Sequence, residues 1–482
     1  MNTQAGSTTV LIALTLLVAC GGAAPASAPA SVAPASVVPA ASSPAAKPSA
    51  AASAAASAPS SAAASSKPAP AGSGAPASAA AKGPIKIGIS LTLTGAQAPV
   101  GKDNQDALNL YLKSVNNTIA GRQIEPIFVD DQFKADVGLT KAKELVESQK
   151  VALLMGFIAT PVGYAVAQYV KDSAHVPMMI TSNSGGEGML TDPKFKSPYL
   201  TRWTFTGTEI NDPPADWAAK QGYRKAAIFV DDYAAGIQNA DLFASSFIRR
   251  GGSIVQEEYA PLGNTDYGPY LARLNKSADV IYEFLTGVDG LRFMQQYDTI
   301  AGQQKLPVLD MFGIVGSGTN LGQLKEKAIG VVSSDVLNPV STDPGTQAFL
   351  KAWQAAYPGS DRPATHDAAH GYASGQILGA ALEKVGGQIE NTQEFLNALY
   401  SLQINTAKGP VKLDQNHDIV QNIYLYRVIK KGDGVGWEEA ATYKDVSDTW
   451  DRSAEEIANF PYEKMKGKWV GMTKDQLEQA LK

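Results

Sequence analysis

Residues 151–170, VALLMGFIATPVGYAVAQYV, limit the fold more than any other part of the chain. Residues 151–155 are apolar throughout, as a strand covered on both faces requires. Gly156, Phe157, Ile158, Ala159 and Thr160 form a turn, Pro161 opens a helix, and Val162, Ala165, Val166 and Tyr169 recur at i, i+3, i+4 and i+7. Such a turn leaves backbone N–H groups and the positive end of a helix dipole beside the Thr160 hydroxyl, a setting that suits a carboxylate. By itself the stretch also fits an ordinary strand-to-helix connection, and the rest of the chain has to decide.

The same rhythm runs along the chain on both sides. Residues 85–91 alternate as a first strand, 95–101 form a loop, and Leu108, Tyr111, Leu112 and Val115 mark a helix face. Strands at 124–129 and 174–181, with a helix marked by Leu139, Ala142 and Val146, complete a β-α-β-α-β-α-β order. A strand at 199–205 precedes a second round: a short helix at Trp217, strands at 226–230, 254–259, 280–285, 307–312 and 328–333, and helices between them. Helices around Phe349, at 366–385 and at 392–402 follow, with strands near Val411 and at 423–428. The expected class is α/β: two Rossmann-like lobes with parallel-core sheets flanked by helices, sharing a crevice at the carboxyl ends of their strands. Lobe 1 is assigned to 84–202 plus 335–417, lobe 2 to 203–334 plus 418–445, and 446–482 to an extension with no assigned role.

The amino-terminal region is of another kind. The apolar run 10–19 has signal-peptide length and ends in Leu17-Val18-Ala19-Cys20, which resembles the lipobox of bacterial lipoproteins. Residues 1–9 depart from that pattern in holding no Lys or Arg. Cys20 is the only cysteine, so no internal disulfide is possible, and it is the expected site of lipidation. Residues 21–82 are almost entirely Ala, Pro, Ser and Gly and read as a disordered tether; about 60 flexible residues reach on the order of 45 Å. A net charge of −5 without a basic block argues against nucleic acid.

Seven segments carry a resemblance: IKIGISLTLTG at 85–95, GFIATP at 156–161, PMMITSNS at 177–184, RWTF at 202–205, IFVDDYAAG at 228–236, DVIYEF at 279–284 and AAHGYASGQIL at 368–378. In order and spacing the chain resembles type I solute-binding proteins of the branched-chain amino acid (Leu/Ile/Val-binding) ABC transporter group, in lipoprotein form. The resemblance implies a monomer that captures a small solute by hinge closure and delivers it to a membrane permease outside the cytoplasm, with no cofactor. It implies ligand contacts at Ala159 and Thr160, at Asn183, Ser184 and Gly185, at Val100 in the first loop, at Ala235 with Tyr233 nearby, and at Thr286. Where amino-acid-binding members hold the ligand ammonium with a lobe-2 carboxylate, this chain places Phe312. A buried ammonium left unpaired costs several kcal/mol. Either Glu283, Asp289 or Asp232 substitutes, or the ligand has no amino group. The second alternative is preferred: an aromatic or aliphatic carboxylate against apolar surface that includes Phe312.

His366-Asp367-Ala368-Ala369-His370 resembles the zinc-protease pattern with Asp for Glu, but no third ligand is evident, and His366 and Asp367 are read instead as ligand contacts at a helix start. A zinc-dependent hydrolase using His366 and His370 is the least favoured reading; a ligand-sensing receptor subunit of the same fold is the main alternative. The pairs Asp130-Asp131 and Asp231-Asp232 are expected as solvated strand ends, and 313–318 as a mobile loop. No G-x-S-x-G or Walker loop occurs, and no enzyme activity is expected.

Overall fold

The computed structural model describes residues 83–184, 186, 188–302, 305–312, 318–358, 362–462 and 464–481. Cys20 with the tether, Gly185 and residues 313–317 of the loop expected at 313–318 lie outside the described residues, and Gly318 opens a helix rather than ending the loop.

The first lobe runs β1 (Ile85–Leu91), α1 (Ala98–Ser114), β2 (Thr118–Ile119), β3 (Arg122–Asp130), α2 (Ala135–Lys143), β4 (Leu153–Gly156), α3 (Thr160–Tyr169), β5 (Met178–Ile180) and β6 (Leu200–Arg202). Its sheet has the order β2-β3-β1-β4-β5-β6, parallel except for the β2–β3 hairpin. Ile85, Ile87, Ile89 and Leu91 of β1 face one core with Leu108 and Leu112 of α1. Leu154 and Val162, Val166 and Ala167 of α3 form the core on the other face. The alternation read from the sequence is thus real, although both faces are covered.

The second round runs α4 (Gly207–Lys220), β7 (Lys225–Asp231), α5 (Ala234–Arg249), β8 (Ser253–Ala260), α6 (Gly268–Ala272), β9 (Val280–Phe284), α7 (Val288–Ala301), β10 (Val308–Met311), α8 (Gly318–Leu324) and β11 (Val332–Asp335). Helices α9 (Pro344–Ala356), α10 (His366–Lys384) and α11 (Thr392–Tyr400) return to the first lobe, where α10 lies along α1. Then come β12 (Gln403–Thr406), β13 (Gly409–Leu413), β14 (Ile419–Lys431), β15 (Gly434–Val446), α12 (Ala454–Asn459) and α13 (Lys474–Ala480). The second sheet has the order β12-β13-β14-β11-β10-β9-β7-β8, with β15 also on β14. Its β8-β7-β9-β10-β11 run is parallel and β11–β14 is antiparallel. β12 and β13 hydrogen-bond into this sheet while Ile404, Val411 and Leu413 pack on the first-lobe core.

Several boundaries differ from the sequence expectation for local reasons. The strand expected from 174 starts at 178, because a π turn at Val170–Ala174 prolongs α3 and His175 takes a left-handed φ of 52°. The short helix at Trp217 is a full α4, started by a reciprocal Thr206–Glu209 capping box and tolerating Pro213 and Pro214. Val100 sits in the first turn of α1 rather than in a loop. Asp131 and Asp231 are buried, not solvated. Asp131 accepts from the hydroxyls of Ser90 (3.1 Å) and Thr92 (2.6 Å), and Asp231 from the backbone N–H (2.8 Å) and hydroxyl (2.9 Å) of Thr286. Exposed Asp232 pairs with Lys466, whereas Asp130 accepts from the Leu93 N–H at 2.9 Å and the Thr94 hydroxyl at 2.6 Å. Trp450, Phe460, Tyr462 and Trp469 of the extension pack on the second lobe.

Where the chain passes between the two sheets, buried charge fastens it. Arg202, at the end of β6, donates through Nε (2.8 Å) and Nη2 to Asp418, and through Nη1 to the Gly186 carbonyl (2.6 Å). Lys408 is buried and donates to the carbonyls of Trp203 (2.8 Å) and Thr204 (2.9 Å) and to Gln421 Oε1 (3.0 Å). Burial pushes its ammonium down from 10.5 to about 7. Between about pH 7 and 10.5 the unfolded chain therefore binds the proton that the folded chain has lost, and stability rises with pH through that window. Lys408→Met is expected to remove up to about 1.4 kcal/mol per pH unit of that slope, read from chemical unfolding at pH 7.5 and 9.5.

Candidate functional site

Between the lobes, at the carboxyl ends of both sheets, lies a cavity of about 570 Å³, within the usual range for small-ligand sites. Four uncapped helix starts reach it, Gln97–Ala98 of α1, Thr160 of α3, Tyr233–Ala235 of α5 and Gly287–Val288 of α7; the starts of α4 at Gly207 and α10 at His366 reach it too, but Thr206 and Thr365 cap them. None of the four carries a side-chain cap, so their first N–H groups keep no side-chain partner. Away from the cavity, α9, α11, α12 and α13 are capped by Asp343, Asn391, Ser453 and Thr473, whereas α2 and α6 carry no side-chain cap. Uncapped helix starts converging on one space favour an anion there.

The α3 start is shaped by its sequence. Gly156 holds a φ of 105° and Phe157 one of 72°, which turns the chain sharply off β4 into the helix. Thr160 is the first helical residue and lines the cavity. Ala159 and Ser184 do not line it. Ala159 is buried as the residue preceding α3, and the Ser184 side chain lies against Gly163, where an added Cβ would collide with its Oγ. Asn183 does line the cavity, as do Val100, Tyr233, Ala235, Thr286, Phe312, His366 and Asp367.

Most of the wall is apolar: Val100, Phe133 and Ile158 from the first lobe face Phe205, Phe284, Met311 and Phe312. The Phe312 ring stands 5.0 Å from that of Phe205 and 4.7 Å from that of His366, on a backbone held at a φ of 65°. Phe133 and Tyr233 approach to 6.2 Å across the cleft, and Gln97 Nε2 donates to the Thr286 hydroxyl at 3.0 Å.

The polar groups are largely engaged with one another. His366 Nε2 lies 3.2 Å from Asp367 Oδ1 and its Nδ1 3.6 Å from Asp335 Oδ2. Burial lowers the His366 pKa, but the charges of Asp367 and Asp335 outweigh that and raise it well above the usual histidine value. Asp367 Oδ1 also accepts from Asn183 Nδ2 at 2.7 Å, and Asn183 Oδ1 is 3.1 Å from His370 Nδ1. Burial, then Lys408 and His366, hold His370 well below its usual pKa. The neutral ring donates to Asn183 and accepts from Thr204 Oγ1 at 3.4 Å. Both nitrogens of His370 are therefore engaged, and among the described residues no cluster of three His, Cys, Asp or Glu could hold a metal. Arg362 donates to Asp103 and, at 2.8 Å, to Asp106, while Thr365 donates to Asp103 at 2.9 Å.

Glu283, Asp289 and Asp232, the candidates for an ammonium partner, do not line the cavity. Glu283 is buried on the far face of β9, and burial with the neighbouring Asp310 raises its pKa well above the carboxylate range. Asp289 is bound by Arg292 and the Gly263 N–H, and Asp232 by Lys466. The carboxylates that do line the cavity, Asp103 and Asp367, are both engaged on the first-lobe side. The sequence reading missed Gln97, Arg362 and Asp103; Gln97 precedes a Pro-initiated helix, which is a readable signal, but the Arg362–Asp103 pair spans 259 positions and leaves none.

The sequence model of one family, described as periplasmic binding protein, matches residues 84–433. The Leu/Ile/Val-binding protein homolog 6 of Brucella melitensis is 28% identical over 372 residues, covering 76% of this chain and 93% of that protein. A solute-binding protein of an ABC transporter from Rhodopseudomonas palustris BisB5, solved with 3,4-dihydroxybenzoic acid, is 30% identical with a TM-score of 0.69, covering 76% of this chain and 98% of its own. Another from R. palustris, solved with 4-hydroxybenzoate, is 27% identical with a TM-score of 0.69 over 76% and 98%. With its two-lobed α/β fold and the cleft between the lobes, the chain belongs to the periplasmic binding proteins, as an extracytoplasmic solute-binding protein that hands a small molecule to the permease of an ABC transporter.

Proposed function

We propose that the cavity captures an aromatic monocarboxylate of the benzoate or hydroxybenzoate type, and that the lobes close over it before it passes to the permease. The observation that carries this reading is the charge inventory of the site. Uncapped helix starts offer N–H groups to an acid, the wall is apolar and aromatic, and no unengaged carboxylate faces the space to hold an ammonium. The acids held by the two Rhodopseudomonas proteins agree with it. The Brucella protein's name points to branched-chain amino acids, which the missing ammonium partner disfavours here.

The mechanism is a population shift, because a ligand that touches both lobes binds the closed state more tightly. Thr160 and the α3 start hold the acid group, while Phe312, Thr286 and Tyr233 select the remainder of the ligand. Cys20 is read as the lipid attachment that keeps the protein at the membrane, tested by metabolic labelling with a fatty-acid analogue that Cys20→Ser abolishes. Thr160→Ala is expected to weaken 4-hydroxybenzoate binding by about 1–2 kcal/mol through a lost charge-assisted hydrogen bond, measured by calorimetry. Unchanged affinity removes Thr160 from the site.

A further inference from the structure

The family match ends at residue 433, yet the described residues of 446–481 fold closely onto the second lobe, around one helix. That helix, α5, meets both the cavity and the extension. Ala235, Gln238, Asn239 and Leu242 line the cavity. The extension holds the adjoining flank, at Asp241, the Leu242 carbonyl and Ser245, through residues that adjoin, or are, those same liners. Arg452 is wholly buried; its Nε and Nη2 donate to Asp212 of α4 at 2.9 and 2.7 Å, and Nη2 also reaches the Leu242 carbonyl and the Ser245 hydroxyl, each at 3.0 Å. Trp469 is fully buried, and its Nε1–H donates at 2.7 Å to Asp241, the residue before Leu242. Lys466 pairs with Asp232, which precedes Tyr233. The extension is itself anchored to the sheet, since Glu257 of β8 accepts from the N–H groups of Trp469 (2.8 Å) and Val470 (3.0 Å).

We propose that residues 446–481 are a strap that sets the position of α5, so that Arg452 and Trp469 govern ligand affinity without touching the ligand. The proposal rests on the cavity being the ligand site. A buried ion pair such as Arg452–Asp212 contributes little net stability compared with apolar packing of the same volume, but it fixes geometry, because its donors accept only one arrangement of partners. Here that arrangement ties α4, α5 and the strap at one guanidinium, with the Phe460 ring 5.5 Å away. Because α5 is a continuous helix of 16 residues, an attachment at Asp241 and Leu242 also sets the height of its uncapped start at the cavity.

The test compares Arg452→Met, Arg452→Lys and Trp469→Phe with the parent protein in two measurements. Hydrogen exchange without ligand should quicken over residues 234–245 in Arg452→Met and Trp469→Phe, with α3 and α10 unchanged. The Kd for 4-hydroxybenzoate should rise about three- to tenfold in both, as expected for coupling through packed elements, and Arg452→Lys should recover part of it. Exchange unchanged over 234–245, exchange quickened evenly in both lobes, or an unaltered Kd overturns the proposal. If the parent protein itself fails to bind 4-hydroxybenzoate, the assigned ligand class is wrong, and the exchange measurement alone decides the strap. Should Arg452→Met not fold, Trp469→Phe, which keeps an aromatic ring but loses the Nε1–H donor and part of the indole volume, carries both measurements.

Discussion

Phe312→Asp is expected to lower the affinity for 4-hydroxybenzoate about a hundredfold or more, roughly 3 kcal/mol, because it removes a buried aromatic wall and sets a charged carboxylate against the ligand's apolar ring. Phe312 packs between Phe205 and His366, so its loss opens space on the second-lobe side that no neighbour fills. The same substitution supplies the acid that an ammonium needs, and leucine binding should therefore strengthen. Folding is a minor confounder: the backbone at 312 has a φ of 65°, which aspartate adopts more readily than phenylalanine. Paired titrations of both ligands into both proteins check it. An aromatic-acid affinity that survives the substitution shows that Phe312 is not part of the binding wall.

Arg202→Met should destabilise the fold by about 3–5 kcal/mol, the cost of leaving a buried carboxylate without its cation. Asp418 is buried and takes two donors from Arg202, and the Gly186 carbonyl loses its donor as well. The backbone is joined at the same place, where the Arg202 N–H donates to the His417 carbonyl at 3.1 Å. Adding Asp418→Asn should recover part of the loss, since a neutral amide costs less to bury than an unpaired charge. Denaturant unfolding of the single and double variants measures both, and a stability equal to the parent's would show that the pair is dispensable.

The parts of this fold that were legible in the sequence are those set by local periodicity. β1, β4 and α3 follow from apolar runs and a Gly-to-Pro turn, and α10 matches the helix expected at 366–385, its start held in the fold by the Thr365 side chain on the Ala368 N–H at 3.1 Å. The antiparallel hairpin of β14 and β15 was not legible, because β15 is mostly half-exposed and polar, with little alternation to mark it. The site divides in the same way. Thr160, Tyr233 and Thr286 stand at helix starts or strand ends, where position along the chain indicates position in the cleft. Ser184 stands in such a place too, yet its side chain turns toward Gly163, a choice made by helix packing rather than by anything local. The engagement of Asn183 by Asp367 and His370, and of Asp103 by Arg362, joins residues more than 180 positions apart. Those pairings decide which polar groups remain for a ligand, and they are properties of the folded lobe.

Thermal unfolding of the purified protein with benzoate, 4-hydroxybenzoate, 3,4-dihydroxybenzoate and leucine, each at one fixed concentration, tests the ligand class most directly, because binding to the folded state alone raises the transition temperature by mass action. The aromatic acids should raise it and leucine should leave it where it is. A shift with leucine and none with any of the aromatic acids would contradict the account.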